Sequence, residues 1–77
     1  MNAVKNSKTA YERLVDACHV IAADKFGPGV NISVDREGSG FVARVWDRKG
    51  SLAMKGPEGA RNKAEAFRQL KKELAQS

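Results

Sequence analysis

Residues 30–55, VNISVDREGSGFVARVWDRKGSLAMK, carry a hydrophobic period of two through three short runs. Val30, Ile32 and Val34 alternate with Asn31, Ser33 and Asp35, which is the pattern of a half-buried strand. Arg36-Glu37-Gly38-Ser39-Gly40 reads as a hairpin loop with two glycines. Phe41, Ala43 and Val45 then alternate with Val42, Arg44 and Trp46. Asp47-Arg48-Lys49-Gly50 is a second tight turn, and Ser51–Lys55 forms a short third strand with Leu52 and Met54 on one face. Connections this short leave only antiparallel neighbours. One sheet face should therefore carry Val30, Ile32, Val34, Phe41, Ala43, Val45, Leu52 and Met54.

On both sides of this stretch the period is helical. Tyr11, Leu14, Val15, Cys18, Ile21 and Ala22 recur at three- and four-residue steps and form one apolar stripe. Thr9 and Glu12 have capping-box spacing, with Ser7 as a rival cap, and Phe26-Gly27-Pro28-Gly29 ends the helix. After the loop Gly56–Arg61, Asn62 and Glu65 sit three apart as a cap pair. Phe67, Leu70 and Leu74, with Ala66, make a second stripe surrounded by Arg61, Lys63, Arg68, Lys71 and Lys72. The fold class is α+β, in the order α-β-β-β-α. The expected architecture is a two-layer sandwich with both helices packed on the apolar face of a three-stranded antiparallel sheet.

Seventy-seven residues make one domain, read as residues 7–77 after a polar, flexible stretch over residues 1–6. A chain of this size buries about 60–65% of the surface its unfolded form exposes, so its stability margin is thin. The net charge of +5 is unevenly placed. Residues 1–38 hold five Lys/Arg and five Asp/Glu, whereas residues 39–77 hold nine and four. That asymmetry suits a polyanionic partner. Cys18 is the single cysteine, which excludes an intrachain disulfide and fits a reducing cytoplasm. No apolar run suits a signal peptide or a membrane span, so no membrane association is expected.

The second helix begins beside Arg61 and Lys63, and a helix start flanked by cations attracts phosphate. With the element order, this is where the chain resembles the double-stranded RNA-binding domains, over about residues 7 to 76. In that family the second helix opens on a motif close to Ser-Lys-Lys-x-Ala-Lys. Here the stretch is Ala60-Arg61-Asn62-Lys63-Ala64-Glu65. Arg61 falls on a basic position and Ala64 on the alanine, while Asn62 and Glu65 replace lysines. The resemblance implies three contact regions on an RNA duplex. The first is Thr9, Glu12, Arg13 and Asp16 on the first helix; the second is Arg36, Glu37 and Ser39; the third is Arg61, Lys63 and Lys55. Arg61, Lys63 and Lys55 would neutralise phosphates, with Arg13, Arg36 and Arg48 as lesser contacts. The expected function is a small basic nucleic-acid-binding module, for RNA or DNA.

The other sheet face offers a different partner. It should show Asn31, Ser33, Val42, Arg44, Trp46, Ala53 and Lys55. A Trp beside an Arg on an open sheet invites stacking, a protein partner or a homodimer. The alternative expectation is thus a protein-interaction module, such as a small phage-type regulator or inhibitor, using Trp46, Arg44 and Val42. Strands two and three also resemble small integrase-arm DNA-binding domains, which have no counterpart to the N-terminal helix. No catalysis is expected. Cys18 and His19 diverge by about 100° on a helix, too far apart in direction to act as nucleophile and base. One Cys and one His do not make a zinc site, and Gly56-Pro57-Glu58-Gly59 lacks the lysine of a phosphate-binding P-loop. No metal, cofactor or small-molecule substrate is expected.

Overall fold

A computed structural model describes residues 8–76. The flexible arm expected over residues 1–6 and the rival cap Ser7 lie outside them. The chain runs α1 (Ala10–Phe26), β1 (Asn31–Glu37), β2 (Gly40–Trp46), β3 (Leu52–Lys55) and α2 (Lys63–Gln76). The strands form one antiparallel sheet in the order β1-β2-β3, with both helices on one side, as the alternation requires.

Local chemistry sets the boundaries. The Thr9 hydroxyl accepts the Glu12 N–H at 3.1 Å and the Glu12 carboxylate accepts the Thr9 N–H at 2.9 Å, a closed capping box that starts α1. Gly27, at a φ of 97°, ends it. The β1–β2 connection is tighter than the five-residue loop expected. Glu37 pairs with Gly40, so the turn is Gly38-Ser39 alone, with Gly38 at a φ of 63°. A positive-φ glycine in the first central position is the pattern of a type II′ turn, whose twist matches the strands. Arg36 and Glu37 therefore belong to β1, on opposite faces. Asp47 builds the second turn: its carboxylate accepts the N–H of Lys49 and of Ser51, each at 2.9 Å.

The core lies between sheet and helices. Ala22 of α1, Ala43 and Val45 of β2, Ala60, and Ala66, Leu70 and Leu74 of α2 pack together, flanked by Ile21, Phe26, Val30, Ile32, Val34, Phe41 and Met54. The Tyr11 and Phe67 rings meet edge to face at 5.7 Å and join the N-terminal half of α1 to α2. Burying a Leu or Phe side chain contributes about 1.5–3 kcal/mol. With Phe67, Leu70 and Leu74 all buried, α2 is the element that seats the helical layer on the sheet.

One residue pair departs from the alternation. Val45 opposes Met54, but Trp46 opposes Leu52, so Ala53 is an extra residue in β3. This bulge turns Ala53 toward the core and puts Leu52 out into solvent, 49% exposed. The faces expected for Leu52 and Ala53 are thus exchanged. Beyond β3 the chain stays against β2. The Gly56 N–H donates to the Ala43 carbonyl at 2.8 Å, and Phe41 and Ala60 exchange two backbone hydrogen bonds at 2.9 and 3.3 Å. Residues 57–59 loop out between these anchors. Gly40 lies so close to this segment that a Cβ on it would stand 2.7 Å from the Gly59 Cα.

Candidate nucleic-acid interface

Arg36, Phe41 and Ala60 lie in one row across the sheet, since Phe41 pairs with Arg36 on one side and with Ala60 on the other. Two strand spacings, about 10 Å, separate the ends of the row. Arg61 and then Lys63 follow Ala60 directly. The β1–β2 hairpin and the start of α2 are thereby held at the same end of the molecule, and Arg36, Arg61 and Lys63 with them. Arg36 places its guanidinium 5.7 Å from the centre of the Phe41 ring. The Arg61 side chain is 88% exposed and makes one long contact, 3.7 Å, to Glu65. Neither Arg36 nor Lys63 makes an ion pair among the described residues.

The start of α2 is closed by its own side chains. Asn62 Oδ1 accepts the Glu65 N–H and the Glu65 carboxylate accepts the Arg61 N–H, both at 2.8 Å. One of the N–H groups that a helix start could offer an anion, that of Glu65, is thereby occupied, as is the Arg61 N–H just before the cap. The Arg61 and Lys63 side chains add positive charge at this end.

Lys55 does not join that group. It stands on the open sheet face opposite Arg44, and its ammonium contacts Glu58 at 2.6 Å and Glu37 at 3.3 Å. Arg44 pairs with Glu37 and, at 3.6 Å, with Asp35. Glu37 lies two pairs nearer the hairpin than Asp35 and opposes Gly40. To reach it, the Arg44 side chain must run along β2 and across Val42. Val42 is consequently fully buried and Arg44 only 17% exposed. The expectation that Val42 offers an interface is thus corrected: the cross-strand ion pairs roof it. The Arg44 guanidinium, with Lys55 beside it, holds the Glu37 carboxyl below the usual carboxylate range. Glu58 and Glu37 in turn raise the Lys55 ammonium. Asp35, Glu37 and Glu58 face two cations here, so the open face carries no excess positive charge.

Trp46 is half-buried, and its indole N–H donates to Ser33 Oγ at 2.9 Å across the β1–β2 pair. Its exposed neighbour is Leu52, a pairing created by the bulge. Arg13 is exposed on α1, off the stripe that faces α2, and outside the Arg36–Arg61–Lys63 group. Arg48 sits in the β2–β3 turn at the far end of the sheet, its stem close over Gly29. Cys18 is buried, with its thiol donating to the Phe67 carbonyl at 3.4 Å, and burial raises its pKa against the opposing pull of Lys71. That environment is the reverse of an activated thiolate. No helix among the described residues is long and apolar enough to cross a membrane.

The chain matches no protein-family model, no curated protein and no solved structure.

Proposed function

We propose that the chain is a non-enzymatic nucleic-acid-binding module, similar to the double-stranded RNA-binding domains in its order of elements. The observation that carries this reading is the gathering of Arg36, Arg61 and Lys63 at one end, where Arg36 and Lys63 have no carboxylate partner among the described residues. Asp35, Glu37 and Glu58 are spent on Arg44 and Lys55 at the other face, and so do not oppose a polyanion at this end. Each neutralised phosphate contributes about 0.7–0.9 to the slope of log K against log salt. Changing Arg61 and Lys63 together to Ala should flatten that slope by about 1.4–1.8 in an anisotropy titration on a short duplex. Absence of binding to RNA and DNA at low salt would overturn the proposal.

A second reading, a protein-interaction module such as a phage-type regulator or inhibitor, is favoured by the Trp46–Leu52 pair, an apolar spot at the sheet edge. Leu52→Asp, at an exposed position, should leave the fold intact and abolish the capture of a protein partner. An unchanged set of captured proteins would remove this reading.

A further inference from the structure

Residues 61–76 carry five Lys/Arg against two Glu. Arg61 and Lys63 account for two of the five; the others, Arg68, Lys71 and Lys72, stand about one and a half to two and a half turns past Lys63 along α2. All three are exposed, and none makes an ion pair among the described residues. Together with Glu65 and Ala75 of α2 and Leu14 of α1 they line a shallow groove along the side of α2 that borders α1. Gln69 also lines the groove, and its carboxamide oxygen is buried without a hydrogen-bond partner. Arg61 reaches the same side, because its guanidinium meets Glu65, the first residue of the groove. Arg61, Arg68 and Lys72 therefore follow one line down the helix, interrupted by Glu65, whose carboxylate is engaged in capping.

This line has the dimensions of a backbone track. Eleven residues at about 1.5 Å each separate Arg61 from Lys72 by about 16 Å. Over that length one strand of a duplex presents about five phosphates, one per 3.4 Å of axis. We infer that this face of α2 is a second phosphate-contact surface, through which Arg68 and Lys72 continue, along a nucleic-acid backbone, the contact begun by Arg36, Arg61 and Lys63. Lys71 flanks the track, and the apolar floor of Leu14 and Ala75 supports the stems of the long cations. The inference rests on the proposed nucleic-acid reading and enlarges its footprint from the end of the molecule to the length of α2.

The test compares the intact chain, Arg61→Ala/Lys63→Ala and Arg68→Ala/Lys72→Ala on one 20-base-pair duplex across a salt series. Circular dichroism serves as a check that α2 keeps its helix. The Arg68→Ala/Lys72→Ala variant should lose about 1.4–1.8 of the slope, like the Arg61→Ala/Lys63→Ala variant. Arg68→Glu/Lys72→Glu should weaken binding further. A slope that falls for Arg61→Ala/Lys63→Ala and stays unchanged for Arg68→Ala/Lys72→Ala would overturn this inference and leave the nucleic-acid reading standing. No binding by the intact chain would overturn both. A poly-glutamate peptide serves as the protein-like probe. If it binds the intact chain, loses that binding in Arg68→Ala/Lys72→Ala, and the duplex is indifferent to the same change, the face belongs to an acidic protein and the inference fails.

Discussion

Glu37 joins the two cations of the open sheet face, and the face depends on its charge. Its carboxyl titrates below the usual range because Arg44 and Lys55 both hold its ionised form. A carboxylate with a depressed folded-state pKa adds stability that is complete above its unfolded pKa. That contribution fades as the pH falls through the lower, folded value. Acid should therefore loosen this face only below the ordinary glutamate range. A carbon-detected NMR titration of Glu37 checks this, and Arg44→Met, which keeps a cover over Val42, should move the Glu37 midpoint upward. Gly40 is the second position where a single atom decides the packing. An added Cβ would meet the Gly59 backbone, which cannot swing aside as a flexible side chain does. Gly40→Ala should cost about 1–3 kcal/mol, the range of an overpacked site. In a domain of this size that lowers the melting midpoint by about 4–8 °C per kcal/mol. Neither residue announces its role in the sequence. Glu37 reads as part of a loop until the two-residue turn is known, and Gly40 reads as a turn glycine although its function is close approach.

The elements are more legible than their contacts. Periodicity and punctuation place both helices and all three strands, because Thr9, Asn62 and the Gly27–Gly29 stop act through bonds to near neighbours in sequence. Two features escape that reading. The bulge at Ala53 carries no glycine or proline to mark it. The Phe41–Ala60 pairing spans a nineteen-residue separation that no local pattern encodes. The candidate site divides in the same way. Arg61 and Lys63 are recognisable as a basic helix start, whereas the capture of Lys55 and the burial of Val42 follow from a cross-strand network. The two helix caps are local enough to predict separately. Thr9→Ala and Asn62→Ala should each cost about 1 kcal/mol by urea denaturation. Leu70→Ala, in the middle of the α2 stripe, should cost about 2–5 kcal/mol and leave little of a fold whose margin is small.

For the whole molecule, the two sides of the sheet divide the charge between them. The open side neutralises itself through Arg44, Lys55 and three carboxylates, while the β1–β2 hairpin end and α2 keep the excess. A partner that binds only the folded chain raises its apparent stability by mass action. On the nucleic-acid reading proposed above, a short duplex should raise the melting midpoint at low salt and have no effect at high salt, which a thermal-shift series would read directly. The bulge in β3 has a consequence of a different kind. A sheet with open margins can recruit further strands and grow into aggregates. Here the β3 margin is four residues long and bent by its extra Ala53, so it is a poor template. The seven-residue β1 margin alternates apolar positions with Ser33, Asp35 and Glu37, placing charge where an incoming strand would need contact. The irregularity that pushes Leu52 into water thus also helps to keep this small sheet from extending itself.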